Sequence, residues 1–71
     1  MQFLSQERAN LIITEAYRLK SEYGIGFRLG QAIINQLPQE LYDYVTNNED
    51  FFHWRDDKKS LESFYKQCVE K

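Results

Sequence analysis

The spacing of apolar residues constrains the fold of this chain more than any other sequence feature. Four stretches place apolar side chains three and four residues apart, which puts them on one face of an α-helix. No stretch alternates apolar and polar residues as a half-buried strand does. The chain is therefore predicted to be all-α, a compact bundle of three to four helices at about 5–23, 27–36, 38–46 and 58–70.

Local signals predict where these helices begin and end. Ser5 is a suitable N-cap for the first helix, and Gly24 can end it in a left-handed conformation. Pro38 fits the first turn of the third helix, although the second and third helices could also be one helix kinked there. Asp57 or Ser60 can cap the last helix.

A length of 71 residues allows one small domain, predicted to span residues 1–71. In a domain of this size, the free energy gained by apolar burial and the entropy cost of ordering the chain nearly cancel. A small stability margin favours association with a partner or with a second copy of the chain, so we expect a protein complex or a homo-oligomer.

Composition excludes several classes of protein. With 42% hydrophobic residues, 28% charged residues and a net charge of −2, the chain is typical of folded domains and not of disordered segments. A single cysteine, Cys68, excludes an internal disulfide and indicates a reducing compartment. The longest apolar run, Leu11–Ile13, is far too short to span a bilayer. We therefore expect a cytoplasmic protein without membrane contacts.

Three groups of residues could carry chemistry, and none meets the requirements. In the segment Gly24–Gly30, the third glycine is one position late for a dinucleotide-binding loop and no strand precedes it. Cys68 lies on an apolar helix face, which disfavours a catalytic pair with His53. The third group is the acidic cluster Glu49, Asp50, Asp56 and Asp57, which lacks the spacing and central glycine of a calcium loop. We therefore expect no enzyme activity, cofactor or metal.

The most informative segment is the aromatic run Phe51-Phe52-His53-Trp54, within a loop predicted at about 47–57. Its rings could close the end of a small core, or they could form an interaction hot spot. Four consecutive large rings do not easily all point inward, which favours a partial interface. The predicted partner-binding residues are Phe51, Phe52, Trp54 and Arg55, flanked by Tyr42 and Tyr44.

Nucleic-acid binding is the alternative hypothesis. Arg28, Gln31 and Asn35 share one face of the second predicted helix and are residue types that read base edges. The second and third helices could also be drawn as a helix-turn-helix. However, 9 basic residues against 11 acidic ones give little attraction for phosphates, which disfavours this alternative.

The central half of the chain resembles a group of small uncharacterised proteins of bacteriophages and prophages. The resemblance rests on an R-h-G-Q-A-h-h-N segment (h, hydrophobic) at 28–35, on Leu37-Pro38 and Glu40-Leu41-Tyr42, and on the downstream pair Phe51-Phe52. It implies a product that binds a host or phage protein, in the cytoplasm of a bacterium or infected host cell, and modulates or inhibits it. Within the segment, we expect Gly30 to let helices pack closely, and Gln31 and Asn35 to bind neighbouring backbone.

Overall fold

Four α-helices form the regular structure of the chain in a computed structural model that describes residues 2–24 and 26–70. They are α1 (Gln6–Tyr23), α2 (Leu29–Ile34), α3 (Gln39–Asn47) and α4 (Asp57–Cys68). The all-α prediction is confirmed, and α2 and α3 are separate helices. Met1, Ile25 and Lys71, which belong to the predicted single domain, lie outside the described residues.

The ends of α1 follow the predicted capping. The backbone N–H of Arg8 donates to Ser5 Oγ at 3.2 Å, so Ser5 is the N-cap. Gly24 has a φ of 90°, and its N–H donates to the Lys20 carbonyl at 2.9 Å. This positive φ favours glycine and ends the helix at Tyr23.

Neither of the two residues predicted to cap α4, Asp57 and Ser60, is its N-cap. The cap is Asp56, whose Oδ1 accepts from the Lys59 N–H at 3.2 Å. Asp57 is the first helical residue, and its carboxylate contacts the Lys20 ammonium instead. Ser60 is buried, and its hydroxyl donates to the Asp56 carbonyl at 3.1 Å. Asp57 is thus drawn into a contact between helices that the sequence pattern does not reveal.

α2 lies at the centre of the bundle and is shorter than predicted. Arg28 has an extended backbone and precedes the helix. After Ile34 the chain continues in turns, with the Leu37 N–H donating to the Ile34 carbonyl at 3.1 Å. α2 packs against both α1 and α4. Five of its six residues are buried: Leu29, Gly30, Ala32, Ile33 and Ile34.

One hydrophobic core joins the four helices with the loop between α3 and α4. Its largest fully buried side chains are Phe51 from that loop and Phe64 from α4. Leu41 and Val45 attach α3 to this core. The loop itself covers residues 48–56, close to the predicted bounds.

The two ends of the described chain are joined by a short parallel β-bridge between Leu4 and Val69. The Leu4 N–H donates to the Cys68 carbonyl, and the Glu70 N–H donates to the Leu4 carbonyl, both at 2.7 Å. Val69 therefore has an extended backbone, and α4 ends at Cys68, two residues before the predicted end. Four alternating residues or more give a recognisable strand pattern, and a bridge of this size is too short to produce one.

Two packing expectations for the central motif need correction. Gly30 faces the backbone and ring of Phe51, where a Cβ would meet the Phe51 carbonyl oxygen, so its close contact is with the loop. In the described chain, backbone beside this motif is bound by the side chain of Gln36 and not, as expected, by those of Gln31 and Asn35. Gln36 Nε2 donates to the Ile12 carbonyl at 3.0 Å and to the Ala32 carbonyl at 3.1 Å.

Within residues 2–24 and 26–70, none of the helices combines the length and apolar character needed to cross a membrane.

Candidate functional site

The aromatic loop is anchored by Phe51, which is fully buried. The Trp54 N–H donates to the Phe51 carbonyl at 3.2 Å, and the two rings meet edge to face at 6.3 Å. Phe51 is therefore a core residue, and the prediction that its ring contacts a partner is corrected. A side chain without exposed surface cannot touch another protein unless the loop unfolds.

Phe52 and His53 form the outer part of the loop. The Phe52 N–H donates to Asp50 Oδ1 at 3.0 Å, which fixes the turn that reverses the chain here. The Phe52 ring is half-buried and lies edge to face with the exposed His53 ring at 4.7 Å. Phe52 is thus placed where a partner could cover its exposed part.

Trp54 lines an open cavity of about 270 Å³ between the loop and α4. Its indole is half-buried. Two acidic and two basic side chains share the lining, and Lys66 Nζ lies 3.7 Å from Glu49 Oε2. The cavity therefore combines one large aromatic ring with a charged rim of no net charge; the other lining residues are Glu49, Lys59, Glu62, Ser63 and Lys66.

Gln67 fixes the loop beside this cavity and was missed by the sequence reasoning. Its Nε2 donates to the Glu49 carbonyl at 2.8 Å and to Ser63 Oγ at 2.9 Å, and its Oε1 accepts from the Glu49 N–H at 3.3 Å. The signal was a glutamine among the apolar positions of α4. A buried amide needs several partners, and here it finds them in the loop backbone.

Tyr42 and Tyr44 do not form one flank of the aromatic loop. Two residues along a helix differ by about 160° around its axis, so the two side chains leave α3 on opposite sides. Tyr42 is 39% exposed, whereas Tyr44 is half-buried. In the described chain neither ring pairs with a ring of the loop. At most one of these tyrosines can therefore extend the surface around Trp54.

Arg55 follows Trp54 in the chain but lines a different cavity. This second cavity has a volume of about 280 Å³ and is also lined by Arg28, from the segment before α2. The structure thus brings together one residue predicted to bind a protein and one predicted to bind nucleic acid. The remaining lining residues are Lys20, Gly26, Phe27 and Asp57.

The other two predicted nucleic-acid residues are not placed on an exposed helix face. Gln31 is half-buried within α2, and Asn35 is exposed at its C-terminal end. A recognition helix must enter the major groove with several side chains free. α2 has six residues, and Gln31 is its one residue that is not buried. Its position at the centre of the bundle therefore does not suit a recognition helix.

The single cysteine and the single histidine are placed in different environments. Cys68 is fully buried, and burial raises the pKa of its thiol to about 11, so little thiolate exists at neutral pH. His53 is exposed in the loop. In the part of the chain that the structure describes, no three His, Cys, Asp or Glu side chains are grouped to hold a metal ion.

Comparisons with known proteins found no significant similarity to a family model, a curated protein or a solved structure. The resemblance to small phage and prophage proteins therefore stays a prediction.

Proposed function

We propose that the protein is a non-enzymatic protein-binding module whose contact surface is centred on Trp54 and Phe52. The observation that supports this most is the half-buried indole in a cavity rimmed by charged side chains. Protein interfaces typically place an aromatic anchor at the centre of a polar rim, and tryptophan contributes strongly to binding there. The Trp54 cavity has both parts of that arrangement.

The loop also has the rigidity that favours binding. Phe51 anchors the loop in the core, and the Gln67 amide hydrogen-bonds with both the N–H and the carbonyl of Glu49. The Asp50 carboxylate fixes the turn at Phe52. A contact surface that is already ordered loses less conformational entropy when a partner docks. These contacts support a surface that is fixed before binding.

The charge of the rim favours a protein partner at this surface. Glu49 and Glu62 balance Lys59 and Lys66, so a phosphate backbone would gain little attraction. A partner with an apolar side chain against the indole and polar side chains of both signs around it would match the cavity.

The biological role follows from the phage resemblance and is part of the same proposal. A small product of this kind binds a host or phage protein in the cytoplasm and modulates or inhibits it. A homo-oligomer would use the same surface, with a second copy of the chain as the partner.

The proposal is tested by capture from bacterial lysate on immobilised protein, followed by mass spectrometry. The test variant carries Phe52→Ala and Trp54→Ala. The matched control is Leu11→Ala, which removes a large apolar side chain that is 62% exposed on α1 and lines neither cavity. Helical circular dichroism checks that all three proteins are folded.

We expect the wild type and Leu11→Ala to retain the same protein, and the folded double variant to lose it. Retention of that protein by all three would contradict the proposal. Sedimentation of the wild type and the double variant distinguishes a second copy of the chain from a foreign partner. Loss of self-association in the double variant alone would identify the second copy.

A further inference from the structure

The cavity beside Arg55 carries a local charge opposite to that of the whole chain. Lys20, Arg28 and Arg55 contribute three cationic groups to its lining, and Asp57 contributes one carboxylate. The result is a formal surplus of two positive charges in a protein whose net charge is −2. Its members come from the end of α1, the segment before α2, the aromatic loop and the start of α4.

The one ion pair among the described lining residues of the cavity leaves its two guanidinium groups available. The Lys20 ammonium contacts the Asp57 carboxylate, so these two groups neutralise each other. Arg28 and Arg55 form no ion pair with any residue in the described ranges. Arg18, by contrast, is held on the surface of α1 by two glutamates, with Glu22 at 2.8 Å.

We propose that this cavity, called here the arginine cleft, binds the phosphoryl group of a small phosphate monoester. Such a group carries a charge of about −1.5 to −2 at neutral pH, which matches the surplus of the cleft. Two guanidinium groups offer forked donors that suit a phosphate's oxygens better than single ammonium groups do.

The substituent of the monoester also has a surface to contact. Phe27 is half-buried and lines the cleft next to Gly26 and Arg28. Its ring packs against Tyr23 at a centroid distance of 5.3 Å, so it has a supported position. An aromatic or apolar substituent gains contact area there, which favours an aryl monoester over inorganic phosphate.

The arginine cleft and the Trp54 cavity share no lining residue. The two proposals therefore rest on different side chains, and the failure of one leaves the other in place.

The test is a titration of the full-length ¹⁵N-labelled protein followed by NMR amide shifts. The probes are phenyl phosphate and benzoate, which share a ring and differ in the anionic group. The test variants are Arg28→Gln and Arg55→Gln, and the matched control is Arg18→Gln, which removes the same charge outside the cleft. The dispersion of each spectrum shows whether the variant is folded.

We expect phenyl phosphate to cause saturable shifts at residues 26–28 and 55–57, with benzoate binding at least about tenfold more weakly. Each cleft variant should weaken the binding of phenyl phosphate about tenfold, because a hydrogen bond to a charged group is lost. Arg18→Gln should change the affinity for phenyl phosphate less than about twofold. The position of the shifts in the wild type remains a test even if a variant fails to fold.

Four results would overturn the proposal. The first is the absence of a saturable shift with phenyl phosphate, and the second is binding of benzoate with the same affinity as phenyl phosphate. The third is a single-stranded oligonucleotide that binds more tightly than phenyl phosphate, with an affinity that falls steeply with salt. The fourth is a phosphoserine peptide that binds at least tenfold more tightly than phenyl phosphate. The third result would assign the cleft to nucleic acid, and the fourth to a phosphorylated protein.

Discussion

The lack of a side chain at Gly30 lets the central helix α2 pack directly against the aromatic loop. A Cβ at this position would meet the carbonyl oxygen of Phe51 and lie 3.0 Å from its ring. Because backbone is among the atoms in contact, the neighbour cannot yield by a simple rotation of a side chain. The absence of a side chain at Gly30 thus allows Phe51 to enter the core and hold the aromatic loop.

At the residue scale, Gly30→Ala is therefore expected to destabilise the protein by about 1–3 kcal/mol, the usual cost of overpacking. The matched control is Gly26→Ala, whose Cβ would meet nothing within 4 Å. This control should change the free energy of unfolding by less than about 0.5 kcal/mol. Denaturant unfolding measures both values, and equal effects would show that Gly30 does not hold the loop.

The buried thiol of Cys68 is expected to lower the free energy of unfolding at alkaline pH. Its pKa is raised from 9.0 to about 11 because burial penalises the thiolate. A raised pKa in the folded state stabilises the fold fully below the unfolded pKa, and this contribution is lost as pH rises through the folded value. From about pH 8 to pH 10.5 the wild type should lose on the order of 1–2 kcal/mol relative to Cys68→Ala.

The measurement for Cys68 is the difference between the two unfolding free energies, because other groups that titrate in this range are common to both proteins. Cys68→Ala leaves a small void, but that cost does not depend on pH. A constant difference across the range would contradict a buried thiol.

At the element scale, the start of α4 fixes one end of the aromatic loop. Asp56 caps the helix through Lys59, and Asp57 joins it to α1 through Lys20. Ser60 adds a hydrogen bond to the Asp56 carbonyl. These three contacts fix the end of the loop, and they therefore hold the backbone next to Arg55, which lines the arginine cleft.

Asp56→Ala is expected to lower the free energy of unfolding by about 1 kcal/mol, because the Lys59 N–H loses its acceptor. Asp56→Asn keeps an oxygen at the same place and should remain close to the wild type. Thermal unfolding followed by circular dichroism compares the three. A similar loss in Ala and Asn variants would show that the charge matters and the cap does not.

The helices themselves could be predicted from the sequence because burial imposes a periodic pattern on them. Capping residues such as Ser5 and Gly24 then fix the ends of α1. The ends of α2 could not be predicted, since apolar residues such as Phe27 and Leu37 continue beyond the helix into turns that are also packed against the core. The burial of these residues depends on tertiary contacts, which do not follow a regular spacing in the sequence.

The candidate site was less predictable for the same reason. A loop has no periodicity that would distinguish the buried Phe51 from the half-buried Phe52 and Trp54. The arginine cleft joins Arg28 and Arg55, which are far apart in the chain and were assigned to different hypotheses. Their proximity depends on how α2 and α4 pack, which local sequence does not specify.

At the scale of the whole molecule, a small core supports an irregular loop as well as four helices. The bridge between Leu4 and Val69 joins the ends of the described chain, and Phe51 extends the core into the loop. Large aromatic rings that are left half-buried at Phe52 and Trp54 represent apolar surface that a partner could still remove from water. The proposed binding would therefore bury the parts of Phe52 and Trp54 that the fold leaves exposed.

The most direct test of this account uses the fact that Trp54 is the only tryptophan. The protein is labelled with 5-fluorotryptophan and titrated with the purified captured partner, and its single ¹⁹F NMR signal is followed without interference from tryptophans of the partner. We predict a saturable shift of this signal, present in Leu11→Ala and wild type alike, because the indole moves from a half-buried to a buried environment. A signal that stays unchanged at saturating partner would contradict the proposal that Trp54 is the binding anchor.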